Sequence, residues 1–123
     1  MMQYDIEKMI NKSLPQALVQ FLDKFKVFYT EIDGILEEFH SLEINEMLVH
    51  YEEQRDLFGY DIIPFAMTDD DYLCLNYKDN EIAVVYWSSE RAMESRKMAV
   101  FEIYNTLTDF YAKSITIKPS LDD

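Results

Sequence analysis

Three apolar, β-prone segments follow one another in residues 62–87, separated by an acidic turn and then by a Lys-Asp-Asn turn. Val, Ile, Tyr, Phe and Trp suit a pleated, half-buried surface, whereas Asp and Asn favour turns because their side chains bond the local backbone. The stretch therefore predicts three consecutive strands. Residues 82–86 are apolar at every position, which predicts a central strand covered on both faces. Leu73 and Leu75 on the neighbouring strand should then point into the core.

Further elements are predicted on either side of this block, because apolar residues at helical spacing indicate helices and alternating ones indicate strands. Before the block we expect a helix over residues 4–12, a helix after Pro15, a strand over 26–32, a hairpin turn at Asp33-Gly34, a return strand over 35–39, and a helix over 43–57 ended by Gly59. The helix after Pro15 has one apolar stripe, formed by Ala17, Leu18, Phe21, Leu22 and Phe25. After the block we expect a loop or irregular strand over 88–97, a C-terminal helix over 98–112, and a tail whose residues 114–117 either add a short strand or fray.

The chain has few residues that break secondary structure, with two glycines and three prolines in 123 residues. No repeat, linker or low-complexity segment divides it, and a chain of this length suits one domain with a single core. We therefore expect one α+β domain over residues 1–123. Its central, mostly antiparallel or mixed sheet of about five to six strands would be packed by N-terminal helices, a middle helix and a C-terminal helix.

Cysteine usage and the N-terminus bear on the cellular compartment. Cys74 is the lone cysteine, so it forms no internal disulfide, and its place in an apolar strand predicts a small buried hydrophobe. This favours a reducing cytosol. Residues 1–10 contain acids and lack the basic start and apolar run of a secretory signal. The longest apolar run, residues 82–87, is far shorter than the roughly 20 residues of a membrane-crossing helix. We expect a cytoplasmic protein.

The formal net charge of -13, from 24 acidic and 11 basic residues, is the strongest compositional signal. Such a charge repels other polyanions, so we expect neither nucleic acid nor an anionic membrane as a partner. The acids occur in clusters, at Glu37-Glu38, Glu52-Glu53, Asp69-Asp70-Asp71 and Asp122-Asp123. A cluster can steer a basic partner towards the protein. Alternatively, it is a solvated face or turn that keeps the protein soluble.

No combination of residues matches a catalytic or metal-binding motif. His40 and His50 have neither an H-E-x-x-H pattern nor a cysteine pair near them. A calcium loop beginning at Asp69 would need oxygen ligands where the chain has Leu73 and Leu75, and its turn glycine is missing. We therefore expect no metal, no cofactor and no catalytic residue. An enzyme that works through a buried carboxylate pair is kept as a hypothesis behind the two binding roles described below.

Several tyrosines and the tryptophan lie at the ends of apolar segments, next to acidic residues. Tyr and Trp rimmed by carboxylates are common as anchors of protein interfaces. Alternatively, their rings are buried and only their polar ends reach water. The residues concerned are Tyr51, Tyr60, Tyr72, Tyr77 and Trp87.

Short motifs spread over most of the chain resemble those of one known family. They are Leu14-Pro15 followed by Phe21-Leu22, F-H-S-L at 39–42, I-P-F-A at 63–66, D-Y-L-C-L at 71–75, a strand ending in Tyr86-Trp87, and a closing helix around 101–107. In these motifs and their order the chain resembles the SUKH superfamily, which contains fungal cell-wall regulators and bacterial immunity proteins that neutralise toxins from competing cells.

The resemblance implies a SUKH-like fold and a non-enzymatic immunity protein that occludes the active domain of a toxin. The negative charge makes a basic toxin domain the expected partner, for example a nuclease, whose site is positive in order to hold phosphate. The alternative is a regulatory or scaffold module that binds a host protein and is incidentally acidic. The sequence leaves the toxin, the binding face and the oligomeric state open. The residues expected to bind the partner are Asp69, Asp70, Asp71, Tyr72, Trp87, Glu52 and Glu53.

Overall fold

The computed structural model describes residues 7–8, 13–58, 61–77, 81–95, 99–114 and 116. The strands are β1 (Val27–Ile32), β2 (Ile35–Ser41), β3 (Ile62–Thr68), β4 (Asp71–Asn76), β5 (Ala83–Trp87) and β6 (Val100–Tyr104), and the helices are α1 (Gln16–Lys24), α2 (Ile44–Phe58), α3 (Ser89–Ala92) and α4 (Leu107–Lys113). The expected α+β fold is confirmed. Glu7 and Lys8 are helical, and the rest of the helix predicted over 4–12 lies outside the described residues.

Helix α1 begins after Pro15, as predicted, and buries Leu18 and Leu22. Pro15 suits this place because it has no N–H that the helix would leave unbonded. The Phe21 ring packs 5.4 Å from that of Phe28, centroid to centroid. The predicted apolar stripe is therefore the face by which α1 packs on the sheet.

Strands β1 and β2 form the predicted hairpin. Asp33 and Gly34 connect them with φ angles of 54° and 82°, so both turn residues are left-handed. This is the pattern of a type I′ turn, whose twist matches that of the flanking strands. Strand β2 continues beyond its predicted end, because His40 and Ser41 pair with β3.

Helix α2 occupies the stretch predicted as the middle helix. It buries Met47 and Tyr51 and packs against β3. Gly59, which was expected to end this helix, lies outside the described residues, as does the Lys-Asp-Asn turn after β4.

The three-strand block forms β3, β4 and β5, as predicted. All five residues of β5 are buried, and the strand lies between β4 and β6, so it is not an edge. Val84 and Val85 are 0% and 2% exposed on opposite faces of the sheet. Leu73 and Leu75 are fully buried, which confirms the predicted register of β4.

Two predictions after β5 were wrong. Residues 88–97 were expected to be a loop or irregular strand, but they contain the short helix α3, whose N-cap Ser88 accepts a hydrogen bond from the Arg91 N–H. Residues 98–112 were expected to form one helix, but they form β6 and then α4. Thr106 separates the two, because its side chain caps α4 by accepting from the Asp109 N–H.

Each strand pairs antiparallel with its neighbour in sequence, and the six-stranded sheet curls into a half-barrel. The hydroxyls of Thr30 on β1 and Tyr104 on β6 share a hydrogen bond, so the two edges of the sheet meet across its inner face. Helix α4 fills this face with Phe110, whose ring centroid lies 5.6 Å from that of Phe28 and 5.5 Å from that of Phe65. Within the described residues, no helix is long and apolar enough to span a membrane.

Candidate functional site

The acidic turn between β3 and β4 projects from one end of the sheet. Thr68 and Asp71 are the last pair of the hairpin, which leaves Asp69 and Asp70 as its two turn residues. Both are exposed, and Asp69 has a left-handed φ of 46°. Asp tolerates this conformation better than most residues. The turn therefore displays two carboxylates to solvent, as the sequence predicted.

Asp71 differs from its two neighbours, because its carboxylate is held by other parts of the fold. It is half-buried on the inner face and accepts a hydrogen bond from the Tyr86 hydroxyl. The backbone N–H and the hydroxyl of Ser89 each donate to it over 2.9 Å. Burial raises the pKa of Tyr86 and the bond to Asp71 raises it further, so the tyrosine keeps its proton. Asp71 thus fixes β5 and the start of α3.

Glu37 from β2 joins these acids, although the sequence had not singled it out as a binding residue. A cavity of about 300 Å³ lies here, and we call it the acidic groove; its lining residues are Glu37, Glu38, His40, Thr68, Asp69, Asp71 and Tyr86. Partial burial raises the pKa of Glu37, and the charges of Asp71, Asp69 and Asp33 raise it further. The groove therefore holds four carboxylates, and among its described lining residues His40, paired with Glu38, is the one basic side chain.

No basic side chain in the described ranges forms an ion pair with Glu37, Asp69 or Asp71. The ion pairs found there are Lys26 with Asp23 and His40 with Glu38, both on exposed side chains. A cation from another molecule could therefore pair with Glu37, Asp69 or Asp71 without displacing an internal one, whereas Glu38 of the same groove already pairs with His40.

Tyr72 and Trp87, both predicted as partner-binding residues, are buried on the outer face of the sheet, at 6% and 5% exposure. Their rings pack 5.8 Å apart, and the Tyr72 hydroxyl lies 2.9 Å from Nδ1 of His50. Tyr51 and Tyr77 are buried as well. The rings therefore belong to the core. A residue that anchors an interface must be exposed in the free protein, and these rings are not.

Glu52 and Glu53 lie exposed on α2. Burial is the main cause of the raised pKa of Tyr72, and the charges of Glu53 and Asp70 raise it further. Carboxylates from α2 and from the turn thus both act on this ring. We call the set Glu37, Asp69, Asp70 and Glu53 the acidic rim.

A second cavity, of about 500 Å³, lies between the β1–β2 hairpin and β6. We call it the edge groove. Phe101 lines it, and the centroid of this ring lies 5.3 Å from that of Tyr86, which lines the acidic groove. Ile35 and Leu36 at the hairpin are 65% and 38% exposed. Sequence reasoning missed this surface, because which strand forms a sheet edge is decided by pairing over the whole chain.

Neither a group of metal ligands nor an accessible thiol is found among the described residues. No group of three His, Cys, Asp or Glu in the described part of the chain is placed to hold a metal ion. Cys74 is fully buried, which raises the pKa of its thiol and keeps it from acting as a nucleophile.

A protein-family model described as SMI1 / KNR4 family (SUKH-1) matches residues 4–113. No curated protein matches the chain in sequence. The matched segment includes every strand and helix described above and both grooves.

Proposed function

Since the chain belongs to the SMI1 / KNR4 family (SUKH-1), we propose that it is an immunity protein, which binds a toxin in the cytoplasm and occludes its active domain. Membership of this family fits an immunity or a regulatory protein-interaction role. The protein would act by binding alone, without a reaction of its own.

The acidic rim is the observation that carries the proposal. Asp69 and Asp70 of the rim are exposed, and Glu37, Asp69 and Asp71 in the groove have no ion-pair partner among the described residues, whereas Glu38 of the same groove pairs with His40. A net charge of -13 extends this field over the molecule. Such a surface speeds encounter with a basic protein and repels nucleic acid. A toxin that holds phosphate, such as a nuclease, presents the complementary charge.

Co-expression tests the proposal directly. Each toxin domain encoded by the source cell is induced in a sensitive host with and without this chain. We expect the chain to restore growth against one of them and to form a complex with it. If it restores growth against none and instead binds a host protein, the regulatory alternative replaces the immunity role.

Binding kinetics then test the acidic rim. Asp69→Asn with Asp70→Asn removes two exposed charges, and Asn suits the left-handed backbone at residue 69. Asp71 is left intact because it holds Tyr86 and Ser89. We expect association with the neutralised toxin to slow about tenfold at low salt, with little change in dissociation.

The matched control is Glu81→Gln with Glu94→Gln, which removes the same charge from two exposed positions outside both grooves. It should slow association less than the turn variant does. Equal effects of the two double variants would mean that net charge alone steers the toxin and that the rim is not the contact surface.

A further inference from the structure

Strand β6 is an edge of the sheet. It pairs with β5 on one side only, and among the described residues no other backbone hydrogen bond involves residues 100–104. Half of the N–H and C=O groups of an edge strand point away from its single neighbour. β6 therefore offers a row of backbone donors and acceptors on its outer side.

The edge groove runs along this row. Four consecutive residues of β6, from Phe101 to Tyr104, line it. Successive side chains of a strand point to opposite faces, so a cavity on one face would be lined by alternate residues only. The pairing with β5 is irregular at Ile103, but Phe101 and Glu102 pair in regular register and both line the cavity. The cavity therefore lies along the edge of the strand, where the unpaired backbone groups are.

The opposite wall combines apolar surface with negative charge. Leu36 contributes the apolar part, next to the exposed Ile35. The carboxylates of Glu31, Asp33 and Glu102 line the groove, against one ammonium group, that of Lys113.

We propose that β6 binds an extended segment of a partner protein as an added strand, and that this segment carries Lys or Arg towards Glu102 and Asp33 and an aliphatic side chain towards Leu36. Backbone hydrogen bonds along the edge would supply affinity, and the alternating side chains of the segment would supply specificity. The identification of this partner as a toxin rests on the proposed function, whereas the binding mode does not.

A second copy of this chain is the competing occupant, and charge disfavours it. Glu102 is the central residue of β6. Antiparallel pairing of two β6 strands about a two-fold axis at their centre would set Glu102 opposite its own copy, and like charges directly opposite are destabilising. A charged residue on an edge is a common protection against self-pairing. The same charge attracts a basic segment.

Peptide selection tests the proposal without knowledge of the toxin. A phage library of random dodecapeptides is selected on the full chain, and the bound peptides are sequenced. We expect Lys or Arg alternating with aliphatic residues. Hydrogen exchange of the backbone amides is then measured with and without a selected peptide. We expect slower exchange at residues of β6, because strand addition bonds the edge amides.

Charge reversal at the edge gives the matched comparison. Glu102→Lys should weaken the selected peptide about tenfold or more, whereas Glu94→Lys, the same change at an exposed position outside the groove, should not. Glu102→Gln should have an intermediate effect. Thermal unfolding of each variant verifies that the fold is kept.

Three other outcomes overturn the strand-addition proposal, and a fourth supports it while overturning the immunity role. Peptides that bind without protecting β6 amides would mean that the edge is not the binding site. Protection of the same amides that grows with protein concentration, without peptide, would assign the edge to a second copy. If the peptides bind as expected but no toxin is neutralised, the strand-addition site stands and the immunity role fails. If a toxin is neutralised and Glu102→Lys has no effect on its affinity, the immunity role stands and the strand-addition site fails.

Discussion

At the scale of single residues, the carboxylates of Asp71 and Glu37 line the same groove, but their charges have opposite effects on the stability of the fold. The carboxylate of Asp71 accepts hydrogen bonds from Tyr86 and Ser89, and these bonds tie β4 to β5 and to the start of α3. Glu37 has no such donors among the described hydrogen bonds, and neighbouring acids oppose its ionisation. Removing the charge of Glu37 should therefore help the fold, whereas removing that of Asp71 should harm it.

Glu37→Gln should stabilise the protein at neutral pH. Burial, Asp71, Asp69 and Asp33 raise the pKa of Glu37 in the folded state above its unfolded value. The stability linked to this group is then complete below the unfolded pKa and is lost as the pH rises through the folded pKa. Because the side chain is partly exposed, we expect a gain of about 0.5 kcal/mol at neutral pH that vanishes below about pH 4.

Urea denaturation at the two pH values measures this difference. Glu94→Gln, an exposed acid outside both grooves, is the control and should leave stability nearly unchanged at both. Lower stability of Glu37→Gln at neutral pH would mean that the carboxylate has favourable interactions that outweigh its acidic neighbours.

At the scale of elements, the β1–β2 hairpin depends on the left-handed backbone of its turn. A Cβ at Gly34 would meet no atom within 4 Å, so the cost of Gly34→Ala comes from the backbone at φ 82° alone. We expect a loss of about 1 kcal/mol in the free energy of unfolding. Asp33→Asn should be neutral or slightly stabilising, because Asn is preferred at this place in a type I′ turn. Equal stability of Gly34→Ala and the parent chain in urea would argue against this turn type.

An element was predictable from the sequence where its apolar residues recur with one spacing only, either helical or alternating. Where the apolar residues fit both spacings, it was not. The buried block β3–β5 and helices α1 and α2 follow their apolar patterns. Val100, Phe101, Tyr104 and Leu107 also fit helical spacing, which hid the boundary between β6 and α4. The sequence did carry a signal there, since Thr106 and Asp109 have the spacing of a helix-capping box.

The candidate site was predictable only in its local part. Asp69 and Asp70 are exposed because they are adjacent turn residues, and the sequence shows this directly. The contribution of Glu37 depends on how β2 curls towards β4, and the bonds from Tyr86 and Ser89 to Asp71 span 15 and 18 residues. No local pattern encodes contacts over such distances. Nor does one encode the burial of Trp87, which lies at the polar end of an apolar segment in the sequence.

At the scale of the whole molecule, repulsion should outweigh attraction among surface charges. The net charge is -13, and the ion pairs found among the described residues lie on exposed side chains. Salt shortens the screening length from about 30 Å at 0.01 M to about 8 Å at 0.15 M. We therefore expect the thermal midpoint to rise over this range at neutral pH, by less in the Asp69→Asn, Asp70→Asn variant. A midpoint that falls with added salt would show that favourable ion pairs dominate.

The hydroxyl pair Thr30 and Tyr104 gives the molecule a late step in folding. Every strand pairs with its neighbour in sequence, whereas this bond joins residues 74 apart. Long loops cost more entropy to close, so the two edge strands should meet after the neighbouring strands have paired. Tyr104→Phe should then speed unfolding about fivefold to tenfold and leave the folding rate nearly unchanged, as stopped-flow kinetics in urea would measure. The lifetime of the folded protein would thus depend on a hydrogen bond that contributes little to the rate of folding.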